Sequence, residues 1–238
     1  MKRRKFIALL LSYALILSVV LSLAYWGSEA VSVINNNKPI ISSNCVIIDA
    51  GHGGIDGGAT SVTGVLEKDL NLQIARRLDD LLHLLGISTV MVRTTEDSIH
   101  TQGDTIAEIK VSDLKNRVSM VNGIHNGILV SIHQNYFSQS QYSGPQTFYA
   151  KTDGSKELAV EMQKALVNNL APTSKRKAKK SDGVYLMDKV QSKAILIECG
   201  FISNYEEEQR LIDGNYQKKL CAVMASVLST TIKDDPIA

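Results

Sequence analysis

The chain has 238 residues, of which 44% are hydrophobic and 21% charged, enough for one domain of ordinary size with an N-terminal extension and too few for two large domains. Four of its 26 Lys and Arg residues fall at positions 2–5, leaving 22 against 24 Asp and Glu, so the remainder is close to neutral and net charge gives no support to a nucleic-acid partner. Cys45, Cys199 and Cys221 are odd in number and widely spaced, which argues against a disulfide framework or a CxxC metal site and leaves buried free thiols as the reading.

Lys2, Arg3, Arg4 and Lys5 precede an uncharged run of 21 residues, Phe6 to Trp26. As a helix the run spans roughly 31 Å, a bilayer core, and it exceeds the apolar segment of about 7–15 residues in a cleaved signal. Residues 1–26 therefore read as an export signal kept as an anchor, with the basic flank inside and the rest of the chain exported. Cleavage after Ala30, with Ser28 and Ala30 as the small residues, is the alternative. No Cys sits just after the run, so lipoprotein processing is not indicated. Residues 27–43 are polar and read as a tether, 44–233 as the folded domain, and 234–238 as a tail.

Short apolar runs then alternate with amphipathic stretches. Val46–Asp49 reads as strand, Glu67–Leu85 as helix, Ser88–Val92 as strand, Ser112–Asn122 as helix and Gly127–Ile132 as strand. Gln146–Ala150 follows as strand, Ser155–Leu170 as helix, Gly183–Met187 as a short strand, Ala194–Ile197 as strand and Tyr216–Ile232 as the closing helix. This is an α/β pattern and predicts a single three-layer domain, a mixed and mainly parallel sheet with helices on both faces. The helix from Glu67 is the best defined, because Leu70, Ile74, Leu78, Leu81 and Leu85 recur at helical spacing and Gly86 stops it.

Two of these strands end in histidine. VIIDAGHGG, Val46 to Gly54, runs from an apolar strand into a glycine-rich turn holding His52, and ILVSIH, Ile128 to His133, leads on to Gln134 and Asn135. Ligands of open α/β sheets collect at the carboxyl ends of strands, where glycines permit close approach. A phosphate-cradling loop or a merely tight turn is the alternative for the first segment, although no GxGxxG or Walker pattern is present. Glu67 opens its helix and can turn its carboxylate to the same edge; otherwise it is an acidic residue favoured by a helix N-terminus. Two histidines and a carboxylate would leave one position of tetrahedral zinc open, the composition of a catalytic site. Glu198, ending the apolar strand AILI, is placed to act as general acid and base, with a structural hydrogen-bond network as its bland reading. Asp49 either orients a ligating imidazole or caps its strand.

These residues resemble the zinc-dependent N-acetylmuramoyl-L-alanine amidases, whose domain carries a D-x-GHGG turn, an E-K-D helix start, an S-I-H-x-N strand end and a V-E-x-G-F motif. They stand here as Asp49–Gly54, Glu67–Asp69, Ser131–Asn135 and Ile197–Phe201, in that order and covering essentially 45–232. The resemblance implies one Zn2+ ion held by His52, Glu67 and His133, a catalytic Glu198, and peptidoglycan as substrate. The N-terminal apolar segment, the lack of wall-binding repeats, and the stretches SDLKNRV and KRKAKKSDGVYLM are similar to the sporulation and germination-specific members. There the reaction frees muramic acid of its peptide for muramic-δ-lactam formation in spore cortex. Ile197 replaces the motif's Val, Ala50 a frequent Pro, and Cys199 follows the glutamate.

Lys175, Arg176, Lys177, Lys179 and Lys180 form a basic cluster that suits either a polyanionic partner such as carboxylate-bearing stem peptides or plain solvation. His83 and His125 lack partners at metal-ligand spacing; His100, in the polar 94–111 segment, could approach the cleft but nothing in the sequence positions it. Arg93 and Arg117 are read as structural rather than as partners of substrate carboxylates. Two rivals stay open: another zinc wall peptidase, and a metal-stabilised wall-binding protein without activity. An exported activating protein is a further partner expectation, because an exposed three-ligand site binds metal weakly unless its loops are ordered.

Overall fold

The computed structural model describes residues 45–234; the segments assigned above to 1–26 and 27–43, and the tail beyond 234, lie outside the described residues. The sheet is built on period-2 burial. In β1 (Cys45–Ala50), β3 (Gly127–Asn135) and β6 (Lys193–Phe201), Val46, Ile48, Ala50, Ile128, Val130, Ile132, Ile195, Ile197 and Cys199 point into one core, whereas Ile47, Leu129, Ala194 and Leu196 point into the other. A strand buried on both faces needs a helical layer on each.

The first layer holds α1 (Glu67–Leu84), α3 (Ser155–Leu170) and α6 (Gly214–Asp234), which bury Leu70, Ile74, Leu78, Leu158, Met162, Leu220, Met224 and Leu228. Each such Leu contributes about 2 kcal/mol by leaving water. The second layer holds α2 (Ile106–Asn122) and the short α4 (Tyr185–Lys189), which bury Val121, Leu186 and Met187. With β2 (Thr89–Met91), β4 (Gln146–Tyr149) and β5 (Lys179–Lys180), the six strands are ordered β2-β1-β3-β6-β4-β5. The first four run parallel, and β4 is antiparallel to β6. The predicted three-layer α/β architecture with a mainly parallel mixed sheet is what the chain adopts.

Three elements differ from the sequence reading. The stretch read as a strand at Gly183–Met187 holds α4 instead: Gly183 is left-handed, with φ +72°, and a single turn lets adjacent Leu186 and Met187 both reach the core, which alternation in a strand would forbid. The strand on this side is β5, two lysines beside β4. Helix α2 starts at Ile106 rather than Ser112, because Thr105 and Glu108 form a reciprocal capping box. A helix not anticipated, α5 (Tyr205–Ile212), follows β6 and is capped by the Asn204 side chain, which accepts from Glu207 N.

Cys199 and Cys221 are buried free thiols as expected, while free Cys45 is only half-buried. Among the described residues no helix is long and apolar enough to cross a membrane.

Candidate metal centre and active site

The face of the sheet that carries Ile47, Leu129 and Leu196 turns polar at its carboxyl end. The residues one step on in each strand are Asp49, Ser131 and Glu198, with His133 beyond Ser131. Register places Asp49 opposite Ser131 and His133 opposite Glu198.

Past β1 the chain must turn at once. His52 adopts φ +61°, a left-handed conformation that costs a non-glycine residue about 1–2 kcal/mol. The turn is held by Gly53 N donating to Asp56 O at 3.0 Å and by Arg117 Nη2 donating to His52 O at 2.5 Å. Two glycines admit the ligands. A Cβ on Gly51 would lie 2.2 Å from the His133 ring, and one on Gly58 2.6 Å from Glu67 Oε2 and 2.7 Å from His52 Cδ2.

Glu67 is the first residue of α1, with its backbone N–H donating to Ala59 O at 2.9 Å and its Oε2 accepting from Ala59 N at 2.9 Å. The loop and helix start are thereby tied together, and Oε1 is aimed inward. That oxygen is 3.2 Å from His52 Nε2 and 3.0 Å from His133 Nδ1. The ligand atoms of His52, Glu67 and His133 lie within 4.8 Å of one another, the one such group of His, Cys, Asp or Glu among the described residues.

Electrostatics match this geometry. Burial opposes charging the His52 imidazole, but the carboxylates of Asp56 and Glu67 outweigh it and lift its pKa to about 9. Burial likewise works against Glu67, yet hydrogen bonds and charge from His133 and His52 hold its carboxyl well below the usual range. Glu67 is thus held as a carboxylate with two imidazoles drawn against it, and a divalent cation would take the place of the imidazole proton between them.

Glu198 behaves oppositely. Burial, reinforced by the charge of Glu67 and only partly offset by the histidines, pushes its pKa up to about 7. Its Oε2 is buried without a hydrogen-bond partner, and with His52, Asp56, Arg117 and His133 it lines one cleft of about 310 Å³.

Asp49 lies at the bottom of this cleft and makes no hydrogen bond to His52. It accepts from Ser131 Oγ at 2.6 Å and pairs with Arg117, whose Nε also meets Asp113 at 2.7 Å. The residue that holds His52 Nδ1, at 2.9 Å, is Asp56, itself paired with Lys110 at 3.0 Å. Sequence reasoning passed over Asp56; the available signal was its position four residues after His52, within reach across a glycine turn. Arg93 is structural, donating to Ala50 O, Gly51 O and Lys68 O. Asn135 ends β3 with its carbonyl on Ile202 N at 2.8 Å and does not line the cleft. Lys175, Arg176 and Lys177 line a separate groove.

Residues 46–229 match the family described as N-acetylmuramoyl-L-alanine amidase. A germination-specific N-acetylmuramoyl-L-alanine amidase of Bacillus subtilis is 36% identical over 184 residues, 76% of this chain and 77% of that protein. The solved structure of the CwlD amidase from Clostridioides difficile, in complex with the GerS lipoprotein, superposes with a TM-score of 0.76 at 36% identity, covering 80% of this chain and 99% of that one. An N-acetylmuramoyl-L-alanine amidase from Clostridium difficile 630 gives 0.70 at 33% identity over 81% of this chain and 98% of that one. On these matches, which span the sheet and every residue of the cleft, the chain belongs to the N-acetylmuramoyl-L-alanine amidase family.

Proposed function

We propose that this amidase is zinc-dependent, is exported, and removes stem peptides from muramic acid during spore-cortex maturation. The convergence of His52, Glu67 and His133 on one point, with Glu198 and its buried Oε2 across the same cleft, carries the reading. His52, Glu67 and His133 would hold the ion, two imidazoles and a carboxylate being the donor set of catalytic zinc. Bound zinc supplies Lewis-acid polarisation of the scissile carbonyl and acidifies a water molecule.

The chain's own groups do the rest. Asp56, accepting from Nδ1 of His52, fixes the imidazole tautomer that presents Nε2 to the ion. Glu198 takes a proton from the attacking water and returns it to the departing L-alanine nitrogen; a carboxyl near neutrality is suited to both transfers. Arg117 holds the His52 carbonyl and Asp49, keeping the turn in its strained form.

The germination-specific name of the Bacillus relative and the sporulation-type sequence features support the cortex role. The lipoprotein seated on the Clostridioides enzyme supports an exported protein partner for this chain as well. Residues 1–26 would tether the domain to the membrane, with its catalytic part outside.

The test is zinc content together with mass spectrometry of muropeptides digested by the full-length protein and by Glu198→Gln. Peptide-free muramic acid and stem peptides with free L-alanine amines, lost in the variant while zinc is retained, are expected. Cleavage between amino acids would instead indicate a wall peptidase. Wall binding without any released peptide in the zinc-loaded protein would indicate a non-catalytic binder.

A further inference from the structure

Across the carboxyl edge of the sheet the functional groups occur in a fixed order: His52 after β1, His133 on β3, Glu198 on β6, and then Gln146, which opens antiparallel β4 directly opposite Glu198. Beyond Gln146 lies a second concavity of about 600 Å³, lined by Tyr142, Gln146, Lys175, Arg176, Lys177 and Lys179, with no acidic side chain in its wall. Among the described residues none of these four cations is ion-paired. Arg176 is fixed: its guanidinium sits 4.7 Å over the Phe201 ring, and its Nε donates to Ser143 O at 3.0 Å. Lys175 and Lys177 flank it, exposed.

Direction follows from the chemistry. In the amidase reading, on which this inference rests, the scissile carbonyl belongs beside the metal ligands and the leaving nitrogen beside Glu198. The glycan side then extends toward β1 and the departing peptide toward β4. Adjacent strands lie about 4.8 Å apart and an extended peptide advances about 3.5 Å per residue, so a carboxylate one or two residues beyond the L-alanine reaches the groove.

We propose that the groove around Lys175, Arg176 and Lys177 is a subsite for a free carboxylate of the stem peptide, on the leaving-group side of Glu198. Such a subsite would favour stems whose side carboxylates are free over stems in which they are amidated.

The experiment uses the full-length, zinc-loaded protein in detergent with a pair of soluble muramyl tripeptides, one with free and one with amidated side carboxylates. A monomeric substrate excludes carboxylates or phosphates of neighbouring wall polymers as the source of any effect. Wild type is expected to favour the free form about fivefold or more in KM, the scale of two partly exposed charge contacts. Lys175→Gln/Lys177→Gln is expected to erase that ratio, Lys175→Arg/Lys177→Arg to keep it, and added salt to shrink it. A wild type indifferent to amidation, or a Gln variant that still discriminates, overturns the subsite. A wild type that cleaves neither substrate overturns the amidase reading itself, a distinct result.

Discussion

Asp56 accepts a hydrogen bond from Nδ1 of His52 at 2.9 Å, leaving Nε2 of the same ring 3.2 Å from Glu67 Oε1. The two nitrogens thus have separate duties, one toward a fixed anion and one toward the ligand cluster. Removing the anion frees the ring to rotate and to choose the other tautomer. Asp56→Ala is expected to weaken zinc affinity about 10–100-fold, read by competition with a chromogenic chelator. Unchanged affinity would mean that the glycine turn alone sets the ring.

Gly51 is placed for its lack of a side chain rather than for an unusual φ. Its missing Cβ is where the His133 ring lies, 2.2 Å away. Gly51→Ala forces that ring aside, at a cost of about 1–3 kcal/mol in overpacking, and is expected to abolish zinc retention after dialysis while circular dichroism stays native. Full zinc occupancy in the variant would show that His133 does not need its observed position.

Asp49 and Arg117 form a buried pair beneath the cleft. Burial raises the Asp49 pKa, but the Arg117 guanidinium and the Ser131 hydroxyl outweigh it and hold the carboxyl below its ordinary value. A depressed folded-state pKa means that the contribution is complete above the unfolded value of about 3.9 and is lost as pH falls through the lower folded one. Wild type should therefore lose melting temperature steeply below about pH 4. Asp49→Asn should be less stable near neutrality, on the order of 3 kcal/mol, and lose less on acidification. Parallel melting curves for the two proteins between neutral and acidic buffers would refute the assignment.

Glu208, on the unanticipated α5, is fully buried and accepts from Ser61 Oγ and Thr63 Oγ1, both at 2.5 Å. The loop it grips ends in the Thr60–Leu66 bridge immediately before Glu67. Glu208→Ala is expected to cost about 2–4 kcal/mol and to speed amide hydrogen exchange at Ser61 to Val65, with the β1 amides unaffected. Equal exchange in that loop would remove Glu208 as its anchor.

The residues themselves determined five of the six strands, the principal helices and the four groups that meet at the cleft. Alternating burial, cap residues and a polar residue at the end of an apolar strand are local signals, and a parallel sheet carries strand ends to one edge without further instruction. What only tertiary structure decided depends on separations no local pattern encodes. In the sequence Asp49 reads as the residue to orient a ligating imidazole, but Arg117, 68 residues beyond it, claims Asp49, and the turn delivers Asp56 to His52 instead. Likewise Gly183–Met187 reads as strand until Leu186 and Met187 are seen to share one face of the core. The basic cluster had no address along the chain. The antiparallel return of β4 against β6 set Gln146 beside Glu198 and so placed the lysines next to the catalytic edge, because strand pairing is chosen by burial and closure across the whole sheet.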